Sequence, residues 1–581
     1  MPGFFVEIGQ LSKHKNDNLN QNNIINDNNF YAENKLVNKF LNDKIFLDNN
    51  EYFCILDGVI LNKNDILKNH TDSWEEVFIN LYQKEGDDFY KEFRGSFCGL
   101  IFDKKIDKWI IFTDHIGSKH IYYSKTDTGL ILSTDVKCIY DYFKINKIKY
   151  ELDTDAAYSL LSYGFMLEDY TLCSSIKKLL PGHQLFYEDN KLSLNQYYKL
   201  SNIPDNTKTE DEFIELMDYY FRQAIKRQFE KDKEYGYKHF VALSGGLDSR
   251  MTCWVAHDMG YNKQINFTFS QSNYLDETIA KEIARDLNHE WIFKSLDGGN
   301  LLYDYREIAN ITGGNVLYYT LAHTDSMLKL INFENLGINH SGQLGDVVFG
   351  TFFQSRDREA QWNMGDGAYS KIFIDKTKNI KLTMKYENQE IFNFYNRGFS
   401  GANNGLLATQ QYTETLSPFY DIDLLNFALS IPLKYRYDHQ IYKKWIIHKY
   451  NDASDYIWEK TKSKITDFTI GYKEKRYPLK QFFFLIANKL SGNKLTGYNS
   501  KQNMNPLGYW YETNSELKNN LDSYFNEYIN LVSDQELKEN LKKIYLSGGA
   551  LEKIQVISLV SAIEQHFVER EWKETFNKEE P

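Results

Sequence analysis

"KHFVALSGGLDSRM", residues 238–251, is the stretch on which the reading of the fold turns. A short apolar run, Phe240–Leu243, breaks into Ser-Gly-Gly, and from Leu247 onward the pattern is helical. Strand, glycine-rich loop and helix in that order form the unit of a parallel α/β sheet, which binds ligands at the carboxyl ends of its strands. Gly245 and Gly246 let backbone N–H groups approach an anion, and the following helix turns the positive end of its dipole toward it. Ser244 and Ser249 add hydroxyl donors. Asp248 suits an anion site only if a cation comes with the anion, and Mg²⁺ on a nucleotide polyphosphate meets that condition. A helix-capping turn uses the same residue types. The full S-G-G-x-D-S after a strand is much more specific than Ser-Gly-Gly alone.

Working outward, "INFTFS" (265–270) and "GINHSG" (337–342) repeat the strand pattern, with amphipathic stretches between them. This alternation predicts a parallel sheet covered by helices. Upstream, "SNIPDNTKTEDE" (201–212) is a polar linker leading into a helical run at 213–230. Before it, "EYFCILDGVILN", "GSFCGLIFD", "WIIFTDHIGSKHIYYS" and "GLILSTD" read as short strands broken by turns. Residues 14–29 are Asn-rich and predict a surface loop. From about Asp421 the chain is mainly helical.

At 581 residues the chain exceeds a single core and implies two or more domains. A net charge of −12 argues against nucleic-acid binding and against attachment to anionic membranes. Cys54, Cys98, Cys138, Cys173 and Cys253 show no paired metal-ligand spacing and read as reduced thiols of a cytoplasmic protein. The N-terminus "MPGFFVEIGQ" has no signal-peptide pattern, and no window approaches a membrane-spanning run.

The S-G-G-x-D-S loop is the signature of ATP pyrophosphatases, which cleave ATP to AMP and pyrophosphate; the Gly-Lys-Ser/Thr ending of a P-loop is missing. "FTFSQSNYLDETIAKEIARDLNHEW" (267–291), "NHSGQLGDVVFG" (339–350) and "ETLSPFYDIDLLNFALSIP" (414–432) follow in order. With "LDGVILNKNDIL", "EVFINLYQKEG", "FRGSFCGLIFD" and "SIKKLLPGHQLFY" upstream, the set resembles the asparagine synthetase family, including the β-lactam synthetases, over nearly the whole chain. The resemblance implies a glutamine amidotransferase-like αββα lobe of the N-terminal-nucleophile kind at 1–200. An ATP-pyrophosphatase (PP-loop) α/β synthetase domain at 205–581, with a parallel sheet and helical C-terminus, would follow. It further implies ATP held by Leu243, Ser244, Gly245, Gly246, Asp248, Ser249, Ser270, Ser341 and Gly342, and Mg²⁺ held by Asp248 and Asp346. The relatives are often homodimers.

The departures from the family pattern matter as much. The nucleophilic Cys expected after the initiator Met is Pro2, the substrate-turn Asn is Asp57, and the Asp of Ser-Asp-x-Glu is Trp74. Three losses at one site imply a lobe that does not hydrolyse glutamine; Cys54 and Cys98 read as buried strand thiols rather than substitutes. The Glu expected after Ser-Gly is Gln343, which cannot act as a base. Glu414, in E-x-x-x-P-F-x-D, matches the Glu that assists amine deprotonation in β-lactam synthetases. A lysine is expected to stabilise developing charge; "IWEKTKSKIT" offers Lys462, with Lys460 its rival. Segment 351–413 matches no motif and is expected chiefly to cover the sheet.

The implied reaction joins a carboxylate, activated by ATP, to an amine. Three enzyme readings stay open: a ligase using an organic amine in a small molecule or peptide, an enzyme amidating for example a sugar uronic acid and fed by free ammonia or a partner glutaminase, and an altered asparagine synthetase. A non-catalytic ATP-binding scaffold is the reading from another class, and the retained Asp248 and Asp346 weigh against it.

Overall fold

The computed structural model describes residues 2–9, 23–68, 71–472, 475–490 and 501–568. Much of the Asn-rich stretch lies outside these residues; within it, Ile24–Asn26 forms an edge strand.

The first half builds two six-stranded sheets of antiparallel pairs. One runs Lys177–Lys178, Tyr122–Thr126, Gly129–Ser133, Gly3–Gly9, Phe30–Lys35, Ile24–Asn26. The other runs Lys191–Gln196, His183–Glu188, Lys108–Thr113, Gly95–Asp103, Tyr52–Ile60, Ile45–Asp48. Tyr52–Ile60 is buried along its whole length because both of its faces are covered. Phe53 and Ile55 meet Phe4, Val6 and Phe30 of the facing sheet, whereas Cys54 and Leu56 pack with Val77 and Phe78 of helix Trp74–Glu85. Helix Val136–Ile145 covers the outer face of the other sheet through Val136, Ile139 and Tyr140. The layers are therefore helix, sheet, sheet, helix, as the family resemblance implies.

The second half is ordered by a five-stranded parallel sheet: β1 (Lys238–Ala242), β2 (Gln264–Ser270), β3 (Glu290–Ser295), β4 (Leu336–His340) and β5 (Thr415–Leu416). Their spatial order is β3-β2-β1-β4-β5. Strand order reverses between β1 and β4, and in a doubly wound sheet the crevice at this switch point receives the ligand. Helix α1 (Glu210–Glu234), closed by a Thr209–Glu212 capping box, packs on the sheet through Phe221, Ile225 and Phe229. Helix α2 (Leu247–Asp258) leaves β1, and helix α3 (Leu275–Asp286) leaves β2. Beyond Asp421 the described residues are mainly helical, with one hairpin, Thr469–Tyr472 with Lys475–Pro478. Among the described residues no helix is long and apolar enough to cross a membrane.

Buried charge ties the two halves together. Asp43 accepts from the Ile60 amide at 2.9 Å and pairs with Lys231 of α1 at 3.2 Å, both side chains being out of solvent. Arg94 reaches Asp423 at 3.1 Å.

Candidate active site

The turn after β1 is held by its own side chains. Ser244 N–H donates to Ser249 Oγ at 3.0 Å, the two hydroxyls lie 2.8 Å apart, and Gly246 N–H donates to Ser244 Oγ at 3.2 Å. Gly245 N–H instead donates to Asp276 Oδ1 at 2.8 Å. A Cβ on Gly245 would sit 2.9 Å from Glu459 Cβ, so the residue type is fixed by close approach. Burial, and then the charge of Glu459, pushes the Asp276 carboxyl up to about 7.

The loop after β4 meets the first turn of α2 face to face. Asp346 N–H donates to Asp248 Oδ2 at 2.9 Å. Gly342 and Gly345 permit the contact: a Cβ on Gly342 would lie 2.2 Å from Ser249 N, and one on Gly345 2.5 Å from Asp248 Cγ. Burial, followed by the Asp346 charge, pushes the Asp248 carboxyl up to about 8. Two oxygen-donor acids converging in this way match the donor set of a hard divalent cation. Another imidazole–carboxylate group, Asp232 with His239 at 2.9 Å and His340 at 2.7 Å, is a buried hydrogen-bonded triad beneath the sheet.

A cavity of about 480 Å³ opens at the switch point, within the size range of small-molecule sites. Ala242, Phe267, Phe269, Ser341, Gln343 and Asp346 form its sheet side; His323, Tyr369 and Arg397 bring further polar groups. Segment 351–413 thus contributes a wall, through Phe352, Tyr369, Arg397, Gly401 and Leu406, rather than only covering the sheet. Its irregular path, including the π-helix Phe394–Gly401, gives no periodic signal from which this could be read. The Arg397 guanidinium lies 5.7 Å from the Phe352 ring centre. His323 stacks on Phe269 with ring centres 5.0 Å apart, and burial pushes it down to about 4, so it is neutral at pH 7. Neither residue lies in a motif.

The other expected residues separate. Gln343 lines the cavity, its side-chain amide donating to the Ala402 carbonyl at 2.6 Å. Thr415 also faces the cavity, so Glu414, its neighbour in the chain, points to the opposite side. There Glu414 is buried against Lys44 at 3.3 Å and Lys119 at 3.1 Å, and the same lysines hold Asp57 at 3.1 and 3.0 Å. The side chain expected to help deprotonate an amine is instead part of a four-charge cluster between the two halves. Lys460 lies one residue beyond Glu459, whose N–H donates to the Gly245 carbonyl at 3.2 Å, and its charge acts on Asp248. Lys462 takes a left-handed backbone, φ 55°, and lines neither this cavity nor its neighbour. Leu243 belongs to the apolar core, and the Ser270 hydroxyl donates to the Gln271 carbonyl.

In the N-terminal sheets, Pro2, Lys44, Asp57, Lys119 and His120 surround a space of only about 20 Å³. Burial acts against the charge on Asp57, but Lys119 and Lys44 hold its carboxyl well below the usual range. Trp74, buried, donates its indole N–H to the Asp43 carbonyl at 3.0 Å. Cys54 and Cys98 are fully buried, and burial pushes both thiols up, away from nucleophilic thiolates.

Comparison with known proteins follows this division. The glutamine amidotransferase domain family matches residues 46–198, and the asparagine synthase family matches 217–404. A Methanocaldococcus jannaschii protein provisionally named asparagine synthetase (glutamine-hydrolyzing) 2 is 26% identical over 425 residues, covering 69% of this chain and 75% of its own. Asparagine synthetase (glutamine-hydrolyzing) 1 of Bacillus subtilis is 25% identical over 253 residues, 42% of this chain and 39% of its own. Among solved structures, the allosteric regulatory enzyme of purine biosynthesis aligns at 10% identity with a TM-score of 0.24, over 51% of this chain and 74% of that one. With an amidotransferase match followed by a synthase match, and relatives bearing that name, the chain belongs to the asparagine synthetase family.

Proposed function

We propose that the chain is an ATP-dependent, AMP-forming carbon–nitrogen ligase that activates a substrate carboxylate for attack by an amine not drawn from glutamine. The observation carrying this reading is the meeting of Asp248 and Asp346, beside the Ser244–Ser249 loop, at the mouth of the switch-point cavity. In this reading Ser244, Gly245, Gly246 and Ser249 bind phosphate oxygens, and Ser341 and Gly342 flank the nucleotide. Asp248 and Asp346 would hold Mg²⁺, which when bound neutralises charge on the phosphates.

The substrate carboxylate oxygen attacks the α-phosphorus of ATP, the Pα–O–Pβ bond breaks, and pyrophosphate leaves. The amine nitrogen then attacks the acyl carbon, the bond to AMP breaks, and the nitrogen loses a proton. Lys460 is better disposed than Lys462 to stabilise the departing charge, because its charge reaches Asp248. Glu414 is spoken for by two lysines, so in this reading the proton passes to a group on the substrate. Arg397 suits a carboxylate or other anionic group of the acceptor.

Loss of glutamine use is supported by Pro2, by the two lysines and the 20 Å³ space around it, and by the buried thiols. The test is pyrophosphate release from Mg-ATP with a panel of carboxylates, each with glutamine, ammonium, an organic amine or none. Release with an organic amine supports the proposal. Release with aspartate and ammonium alone assigns an ammonia-dependent asparagine-type synthetase. Glutamine serving as well as ammonium removes the claim of glutamine independence, and silence under every condition favours a scaffold.

A further inference from the structure

A second cavity, of about 570 Å³, is lined by Lys460, whose charge also acts on Asp248. Its walls carry Lys443, Lys444, Lys460, Lys464, Lys475 and Arg476, against two acids, Asp438 and Asp467. Lys444 and Lys464 are paired outside the cavity, with Glu210 at 2.5 Å and Asp455 at 3.2 Å. Lys443, Lys460, Lys475 and Arg476 remain on its wall, where Asp438 lies 3.8 Å from Lys443 Nζ and accepts from Arg476 N–H at 3.2 Å. In a chain of net charge −12, this concentration of cations in one concave surface focuses a field that attracts anions. His439 and Trp458 complete the inner wall, their rings 5.7 Å apart.

The placement identifies the anion. Lys460 lines this cavity, its charge also reaches Asp248, and the strap carrying it is bonded to Gly245. The cavity therefore shares Lys460 with the surroundings of the Ser244–Ser249 loop. We infer that it is a second anion site that receives the diphosphate group of pyrophosphate as it leaves the nucleotide loop. Lysine and arginine supply the point charges and the fork that phosphate oxygens take. The site would draw the product from the loop and oppose the reverse attack on the acyl phosphate. This inference rests on the ligase reading above, and the experiment separates the two.

Mg-pyrophosphate is titrated calorimetrically into the full chain already saturated with α,β-methylene-ATP, which cannot release pyrophosphate and fills the loop. We expect one pyrophosphate per chain still to bind. The exposed hairpin pair Lys475→Ala/Arg476→Ala should weaken it at least tenfold, Lys475→Glu/Arg476→Glu should abolish it, and affinity for the nucleotide analogue should change less than twofold. No binding to the nucleotide-loaded wild type, or equal binding by the variants, overturns the inference. Failure of the analogue itself to bind would count against the ligase reading. Titration of pyrophosphate into nucleotide-free wild type and variants then still decides the cavity by the same tenfold criterion.

Discussion

The backbone N–H of Asp346 donates to Asp248 Oδ2 at 2.9 Å, closing two loops 98 residues apart onto one carboxylate. With the Asp346 charge adding to burial at Asp248, the pair takes up a proton or a cation rather than stand as two bare charges. Asp346→Asn should therefore lower nucleotide-dependent pyrophosphate release by about 100-fold while leaving the melting temperature unchanged or raised. A large fall in melting temperature, with activity per folded molecule retained, would make the pair structural instead.

Glu414 is predicted to act on stability. Glu414→Gln leaves Lys44 and Lys119 with Asp57 as their single remaining counter-charge out of solvent. The expected cost is about 3 kcal/mol, the scale for breaking a buried ion pair, read from denaturant unfolding. An undiminished stability with loss of turnover would return Glu414 to the role of a base.

The two lysines of the strap should differ sharply. Lys460→Ala is expected to slow pyrophosphate release by at least about 100-fold, in line with removal of one electrostatic stabiliser. Lys462→Ala should change it less than about threefold on the same grounds of position. Because Lys462 sits at φ 55°, Lys462→Gly should gain up to about 1 kcal/mol by removing left-handed strain. Equal rate losses at the two positions would contradict the assignment.

His323 gives a pH signature. Its folded value of about 4 lies below the ordinary histidine value of 6.5, so the unfolded chain binds the extra proton between these limits. Its contribution is complete above pH 6.5 and is lost as pH falls toward 4. His323→Gln should therefore have a flatter stability profile across that window, by about 2 kcal/mol. Parallel thermal-melt profiles from pH 7.5 to 4.5 would show that the histidine is not the group responsible.

What the sequence determined by itself was local. Ser244-Gly-Gly and the helix opening at Leu247 specify a turn whose backbone, hydroxyls and helix end converge within six residues, so chain neighbours alone supply the geometry. The strand patterns of both halves were equally readable, because burial on one or both faces leaves its mark along a single segment. The tertiary structure alone decided where Glu414 points: its pairing beside β4 turns Thr415 to the cavity and Glu414 to lysines some 300 residues away in the chain. It also set Lys460, and not Lys462, on a cavity wall, brought His323 and Arg397 to one wall, and gathered Lys443 and Lys460 with the distant Lys475 and Arg476. Those outcomes depend on which buried charges and apolar faces find one another across the folded chain, and the short-range preferences of each segment carry no record of that choice.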